Sequence, residues 1–509
     1  MSPEPTATPA RPPGPWQPRK QVTVLGAGVA GLVAAYELER LGHGVEVLEG
    51  HLRVGGRVHT HRFLPGRPGP SVELGAMRIP TGHQRTLRYL RKLGLGDRLR
   101  EFTTLFQDDA AYVQTARGHR RIREATPALV AELRARLPAA EAAAHPPEAL
   151  LFGAWMAVRV EALAPGDFRD GLRPGLEREL LDLVAGIDLT RYLRRPGSAG
   201  EPIDLAALFA DHPQIRAGCR GRLHRFVDDI VNETGSTLLR LAGGLDQLPL
   251  RLRERIRGPV RLGQEVLGIE VRRDQVAVRV RQGFGSTTRA CNYVLCTIPF
   301  SVLRGLELHG LDREKLAAVH GQRYWAATKV ALHCREAFWE RDGIRGGASF
   351  TGGLIRQTYY PPVEGDPGLG AALLASYTIG ADADRLTRLG RGPRLAAVLA
   401  EAAVVHPELR RPGMVLGVVD RVWGTEPGAQ GAAAVRWGKD ADACEEERQL
   451  MARPQGRLFF AGEHCSGHPA WIEGAIESAQ QAVRLIDGHQ RGGAPVDGAR
   501  AATVIEEPA

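Results

Sequence analysis

The sequence predicts a mixed α/β fold (α+β mixed), in which a parallel sheet is joined by a mixed sheet and a block of helices. Three observations predict it: a strand–glycine turn–helix–strand run over residues 21–49, short β-branched runs between residues 260 and 461, and apolar residues at helical spacing between about 120 and 242. The 509 residues are 43% hydrophobic and 25% charged, which is typical of a globular chain with a large core. This composition excludes a collagenous, coiled-coil or wholly disordered protein.

The run over residues 21–49 begins the predicted parallel sheet. Residues 21–25 and 45–48 are short apolar stretches rich in β-branched side chains, as in buried parallel strands. Residues 32–41 are rich in Ala, Leu and Glu and are predicted to form a helix that ends near Gly42. The three pieces predict a strand–helix–strand unit of the Rossmann-like type.

The glycines of this unit predict a dinucleotide site. Gly26 permits the tight turn, Gly28 lets the backbone approach a pyrophosphate, and Gly31 lets the helix pack closely on the strand. Glu49 ends the second strand, where a carboxylate can accept hydrogen bonds from a ribose. A glycine-rich turn in an unrelated α/β protein is the alternative, and the strand, helix and acidic residue in the right order disfavour it.

Later elements are predicted in chain order from the same periodicities. Helices are expected over residues 128–137, 178–187 and 472–486, and strands over residues 266–271, 276–280, 293–298, 330–332, 371–377 and 457–461.

Charge and cysteine content bear on three possibilities: a nucleic-acid partner, a disulfide framework and a zinc site. The net charge is +9, but lysine occurs only five times and the arginines are spread along the chain beside Ala, Gly and Pro. This distribution indicates a coding bias and predicts no nucleic-acid partner. Six cysteines without a CxxC pair predict neither a disulfide framework nor a zinc site.

Targeting segments are also not expected. Residues 1–19 are rich in proline and lack the apolar segment of a signal peptide, so they predict a disordered leader, and residues 491–509 predict a flexible tail. No apolar stretch reaches about 18 residues, so no membrane span is expected and the predicted location is cytoplasmic.

Two further motifs lie near the ends of the chain. Residues 53–60 read R-V-G-G-R-V-H-T, where Gly56 lets a second loop approach a cofactor and Arg57 can neutralise its phosphates. Residues 460–463 read F-A-G-E and precede the predicted helix 472–486. Together with the first glycine motif, these sequences resemble the flavin-containing amine oxidase family.

The resemblance implies an FAD-binding domain built from separate segments. It implies an FAD domain of residues 20–67, 243–320 and 418–490, a substrate domain of residues 68–119 and 321–417, and a helical domain of residues 120–242. The implied FAD contacts are Gly26, Gly28, Val29, Ala30, Gly31, Glu49, Gly50, Gly56, Arg57, Gly75, Ala76, Met77, Arg78, Val266, Gly462, Glu463, Trp471, Ile472 and Ala475.

The segment E-L-G-A-M-R-I-P at residues 73–80 resembles L-amino acid oxidases within that family. The resemblance implies that Arg78 grips a substrate carboxylate, and a guanidinium matches a carboxylate bidentately. A simple amine would leave this cation unpaired. A surface arginine is the alternative reading of Arg78.

The middle of the chain extends the resemblance. It implies that Lys329 holds a water against the flavin and that the hydroxyl of Tyr377 supports the carboxylate. In the C-terminal motif, the resemblance implies that Trp471, eight positions after Glu463, forms a wall beside the substrate amino group. Trp325 is placed on the face of Lys329 by even spacing. A structural tryptophan or a surface lysine remains the alternative. The implied substrate contacts are Arg78, Tyr377, Trp471, Ala470, Trp325, Ile379, Ala433 and Val231.

Two departures from the family pattern are informative. Residues 423–434 read W-G-T-E-P-G-A-Q-G-A-A-A and lack the cysteine that links flavin covalently in monoamine oxidases, which predicts non-covalent FAD. Another L-amino acid oxidase has a histidine in its helical domain that was once proposed as the catalytic base. In this sequence Val227 stands near that position, so no histidine base is predicted.

The resemblance implies an L-amino acid oxidase that converts an L-amino acid to the 2-imino acid, then to the 2-oxo acid and ammonia, with H2O2 as the reduced product of oxygen. The residues expected around the substrate side chain, among them Trp325, Ile379 and Ala433, are apolar, and the small alanine leaves room, which predicts a large apolar or aromatic amino acid. Lys329 and Arg78 are the expected catalytic residues, and a homodimer is expected because relatives commonly dimerise. An amine or polyamine oxidase, an amino acid 2-monooxygenase and a non-catalytic FAD scaffold are the alternatives.

Overall fold

The computed structural model describes residues 20–489, apart from residues 196–197, 199, 219–226, 228 and 230–236. The predicted leader over residues 1–19 and the predicted tail over residues 491–509 lie outside the described residues, and so does Val231.

A five-stranded parallel sheet carries the predicted strand–helix–strand unit. Alternate residues of its strands enter two different cores: Val22 and Val24 point into one, and Leu25 and Leu48 into the other. This alternation explains why the strands are apolar on both faces. In spatial order the strands are Val260–Arg261, Gly44–Leu48, Gln21–Leu25, Tyr293–Cys296 and Leu458–Phe460.

Two helices cover one face of this sheet and pack against each other. The first, Val29–Arg40, begins directly after the glycine turn, and the second, Ile472–Gly488, is the predicted C-terminal helix. The other face packs on a four-stranded sheet, whose strands are Gly285–Cys291, Val276–Gln282, Val266–Val271 and Glu307–His309.

A seven-stranded sheet forms the second large layer. Its second and third strands in spatial order, Ala327–Cys334 and Ala371–Ile379, are antiparallel and almost wholly buried. The remaining strands are Val415–Val422, Arg356–Tyr359, Ala348–Gly352, Tyr112–Thr115 and Gly118–Arg121. Three small sheets pair Tyr324–Trp325 with Ala433–Ala434, Thr60–Arg62 with Ser71–Glu73, and Leu238–Leu241 with Ile79–Pro80 and Leu99–Glu101.

Helices pack on the seven-stranded sheet where the sequence predicts a helical block. They share one hydrophobic core with the sheet, in which Trp155 is fully buried. These helices are Ile122–Arg136, Ala139–Ala144, Pro147–Leu163, Gly166–Asp182, Leu205–Asp211 and Pro213–Gly218. The other α-helices are Gln84–Lys92, Gln247–Arg255, Phe300–Leu303, Arg313–Gly321, Ala381–Arg388, Arg391–Val405 and Ala441–Ala452. Single 3₁₀ turns are Gly96–Arg98, Leu189–Tyr192, Phe338–Glu340, Pro367–Leu369, Pro407–Arg410 and Glu463–Cys465.

The mixed α/β fold class is confirmed, while the division into domains stays a prediction. Three elements span its proposed limits: Gly118–Arg121 the limit before residue 120, Arg313–Gly321 that before residue 321, and Val415–Val422 that before residue 418. The strand Leu238–Leu241 lies inside the predicted helical segment. Among the described residues, no helix is long and apolar enough to cross a membrane.

Candidate active site

A cavity of about 810 Å³ extends from the glycine turn of the parallel sheet to the strands Ala327–Cys334 and Ala371–Ile379 of the seven-stranded sheet. Its size lies within the range of cofactor and ligand pockets. Of the predicted site residues, it is lined by Gly26, Gly28, Val29, Ala30, Glu49, Gly50, Gly56, Arg57, Gly75, Ala76, Met77, Arg78, Val266, Trp325, Lys329, Tyr377, Ile379, Ala433, Gly462, Glu463, Ala470, Trp471, Ile472 and Ala475. The remaining predicted glycine, Gly31, packs against Gly26 and does not line the cavity.

The glycine turn leaves space at one position and is tightly packed at two others. Gly26 has a φ of +105°, and a Cβ there would approach the Thr297 hydroxyl to 2.6 Å. A Cβ on Gly31 would lie 2.0 Å from the carbonyl oxygen of Gly26. A Cβ on Gly28 would meet no atom within 4 Å and would project into open space. The turn therefore has the shape of a cradle at the N-terminus of the helix Val29–Arg40, where an anion is favoured.

Glu49 is held beside this cradle. One carboxylate oxygen accepts a hydrogen bond from the backbone N–H of Ala27 at 2.7 Å, and the other accepts one from His51 at 2.8 Å. A carboxylate has about four acceptor sites, so these two bonds fix its orientation and leave capacity for a sugar hydroxyl.

The two motifs from opposite ends of the chain meet in an ion pair. Arg57 donates from Nη1 to Glu463 at 2.7 Å and to the carbonyl oxygen of Ala432 at 3.0 Å. Glu463 also accepts from the backbone N–H of Ala470 at 3.0 Å. Burial raises the pKa of Glu463, but the charge of Arg57 and these hydrogen bonds hold it below its ordinary value. The positive charge of Arg57 is thus already paired within the protein.

Lys329 lies at the far end of the cavity and is 3% exposed. Its Nζ donates to the carbonyl oxygens of Glu73 and Gly75 at 3.1 and 2.7 Å and lies 4.7 Å from the ring centre of Tyr377. Burial lowers the pKa of Lys329 to about 7, with a further decrease from Arg78 and an opposing increase from the Glu73 carboxylate. Burial likewise raises the pKa of Glu73 to about 7. Lys329 can therefore exchange a proton near neutral pH.

Arg78 enters the cavity between two aromatic side chains. Its Nη1 donates to the hydroxyl of Tyr359 at 3.2 Å, and its Cζ lies 6.0 Å from the ring centre of Trp471. Trp471 is the N-cap residue of the helix Ile472–Gly488 and therefore lies at the N-terminus of this helix. Tyr359 was not predicted from the sequence, because no motif links it to Arg78.

Aromatic residues form the wall near Lys329. Trp325 and Ala433 are direct partners in a two-stranded sheet, and the Trp325 ring meets that of Trp437 at 6.2 Å in an edge-to-face arrangement. The indole N–H of Trp437 donates to Asp229 at 2.5 Å. Trp437, Asp229 and Leu163 line the cavity but were not predicted, since each lies outside a recognisable motif.

Comparisons with known proteins agree on one family for this chain. Residues 29–487 match the family described as flavin-containing amine oxidoreductase. The chain belongs to this family. It is 57% identical over 468 residues to a flavin-dependent L-tryptophan oxidase of Lentzea aerocolonigenes, covering 92% of this chain and 98% of that protein. It is 31% identical to an L-amino-acid oxidase of Mus musculus, covering 92% of this chain and 71% of that protein.

Solved structures agree on the fold of this flavin-containing amine oxidoreductase. Wild-type putrescine oxidase bound to putrescine superposes with a TM-score of 0.60 at 19% identity, covering 92% of this chain and 99% of that one. At this identity the similarity concerns the fold alone. The family membership confirms the predicted flavin cofactor and the predicted oxidoreductase.

The described residues fit a flavin dinucleotide. The open space at Gly28, the helix N-terminus behind it and the carboxylate of Glu49 suit a pyrophosphate and a ribose. No group of three or more His, Cys, Asp or Glu side chains that could hold a metal ion occurs among the described residues.

Proposed function

We propose that this protein is an FAD-dependent L-amino acid oxidase that acts on large apolar or aromatic L-amino acids, with L-tryptophan as the preferred substrate. The observation that carries the proposal is the convergence of Arg78, Lys329 and Tyr377 on one cavity that also contains the dinucleotide cradle. A guanidinium in the same cavity as the dinucleotide cradle suits a substrate with a carboxylate, because its planar N–H groups match the two carboxylate oxygens.

The aromatic wall supports the choice of side chain. Trp325 and Trp437 meet edge to face, and the small Ala433 beside Trp325 leaves room for a large substrate. Aromatic rings prefer such surroundings, where each pair contributes roughly 0.5–1.5 kcal/mol beyond burial. The 57% identity to a flavin-dependent L-tryptophan oxidase supports the same substrate.

The cavity-lining residues would have different roles in the reaction. Arg78 and Tyr377 would fix the substrate carboxylate and so direct the Cα–H bond, and orientation of this kind contributes a large part of a barrier reduction. The Trp471 side chain would form the cavity wall beside the substrate amino group. Lys329, with a pKa of about 7, would hold or move a proton beside the reacting carbon. Bound FAD, held non-covalently, supplies hydride acceptance and the reduction of oxygen to H2O2.

The experiment is anaerobic mixing of the yellow holoenzyme with single amino acids while flavin absorbance is followed. We expect L-tryptophan and L-phenylalanine to bleach the flavin fastest, and L-lysine, L-arginine, L-glutamate and putrescine to bleach it slowly. Fast bleaching by putrescine would favour an amine oxidase instead. Under air, the products should be the 2-oxo acid, ammonia and H2O2; a shortened amide would indicate an amino acid 2-monooxygenase.

The proposal includes a cytoplasmic homodimer. The described cysteines, five in number, are free and buried, which suits a reducing compartment. The homodimer rests on the family resemblance, and light scattering of the purified holoenzyme tests it.

A further inference from the structure

The strand Arg356–Tyr359 contains an irregularity directly opposite the predicted carboxylate ligand Tyr377. Both Arg356 and Gln357 pair with Tyr377 across the sheet, so two residues oppose one, as in a β-bulge. Arg356 has a φ of +58°, a left-handed conformation that non-glycine residues adopt at a cost. Bulges near active sites change the direction of the side chains that follow them.

The side chains of Gln357, in the bulge, and Tyr359, just after it, form a chain of hydrogen bonds that begins at Arg78. Nη1 of Arg78 donates to the Tyr359 hydroxyl at 3.2 Å, and this hydroxyl donates to Oε1 of Gln357 at 2.9 Å. Nε2 of Gln357 donates to the carbonyl oxygen of Ala162 at 2.6 Å. Tyr359 and Gln357 are 4% and 3% exposed, so water competes little for these bonds.

The far end of the chain is anchored on the helix Pro147–Leu163. Ala162 belongs to its last turn, where carbonyl groups lack partners within the helix. Arg356 bonds to the same turn, through the carbonyl oxygen and the carboxylate of Glu161. Both bulge residues, Arg356 and Gln357, are therefore bonded to the same helix end. These bonds hold the bulge in its strained conformation.

We propose that Tyr359 and Gln357 are positioning residues that hold the Arg78 guanidinium in the plane needed to receive a substrate carboxylate. A long arginine side chain loses considerable rotamer freedom when it binds, and a preformed hydrogen bond removes part of that loss beforehand. Tyr359 does not line the cavity and acts through Arg78, whereas Gln357 and Tyr377 do line it. The Gln357 side chain accepts from the Tyr359 hydroxyl, and the ring of Tyr377 lies 6.3 Å from that of Tyr359. The inference rests on the proposed function, because it takes a carboxylate as the ligand.

The test compares Tyr359→Phe with Tyr360→Phe in the holoenzyme. Tyr360 is the adjacent buried tyrosine, and its hydroxyl bonds Ser349 and His406 away from the cavity. Two probes that carry no amino group are titrated against flavin absorbance: indole-3-propionate, which has a carboxylate, and 3-methylindole, which has none. We expect Tyr359→Phe to weaken indole-3-propionate about tenfold, as for the loss of a hydrogen bond to a charged group, and to leave 3-methylindole unchanged. Tyr360→Phe should leave both unchanged.

Two results would overturn the proposal: equal weakening of both probes by Tyr359→Phe, or undiminished binding of indole-3-propionate. A double variant sharpens the test, because adding Tyr359→Phe to Arg78→Met should cause no further loss. Gln357→Met, which leaves the Tyr359 ring in place, serves if Tyr359→Phe does not fold. Because Gln357 lines the cavity, a positioning role requires that this variant weaken indole-3-propionate selectively and cause no further loss when added to Arg78→Met. Wild-type protein that binds indole-3-propionate without being reduced by amino acids would refute the oxidase function and leave the positioning role standing.

Discussion

Replacing Arg78 with lysine tests the carboxylate assignment while keeping a positive charge in the cavity. The Arg78 guanidinium is planar, lines the cavity and donates from Nη1 to the Tyr359 hydroxyl. A planar guanidinium matches a carboxylate through two parallel N–H groups. A lysine ammonium is a point charge and cannot reproduce this fork. One lost charge-assisted hydrogen bond corresponds to roughly 1.5–3 kcal/mol, or about 10- to 150-fold in kcat/KM. Arg78→Ala, which removes the charge as well, should lose more.

The assay is stopped-flow flavin reduction under anaerobic conditions across a range of L-tryptophan concentrations. The control ligand is tryptamine, which shares the indole and the amine but lacks the carboxylate. Arg78→Lys should raise the apparent Kd for L-tryptophan and slow its oxidation, with little effect on tryptamine. Unchanged kinetics with L-tryptophan, or an equal decrease for tryptamine, would refute the argument that Arg78 recognises the carboxylate.

Three further predictions follow from the site. Lys329 and Glu73 both have a pKa of about 7, so flavin reduction should show a titration near pH 7. Glu73→Gln removes a neighbouring negative charge and should move the titration of Lys329 to lower pH, whereas Lys329→Met should leave only the titration of Glu73, moved to higher pH; a pH profile that neither variant changes would contradict both assignments. Gly28→Val should fold normally but purify without flavin absorbance, because its side chain would fill only the open cradle, while normal flavin content would contradict the assigned phosphate position. Trp437→Leu should lower kcat/KM for L-tryptophan roughly 2- to 10-fold relative to L-leucine through loss of an aromatic contact, and an equal decrease for both substrates would count against an aromatic wall.

The sequence by itself determined the parts of the protein that are encoded in short, continuous segments. The order strand, glycine turn, helix, strand over residues 21–49 predicts the backbone geometry directly, because Gly26 and Gly31 occupy positions that a Cβ would disturb. The same holds for the strands carrying Lys329 and Tyr377, whose alternation places both side chains on the cavity face.

Only the tertiary structure decided how distant segments meet. Arg57 and Glu463 are 406 residues apart and form one ion pair, which changes Arg57 from a free cation for phosphates into a paired one. The contact of Arg78 with Tyr359 depends on the bulge at Arg356, and strict alternation along the strand does not predict it. The physical reason is that local periodicity specifies which face a side chain takes within a regular element. Sheet packing and a shifted register specify which residue it then touches.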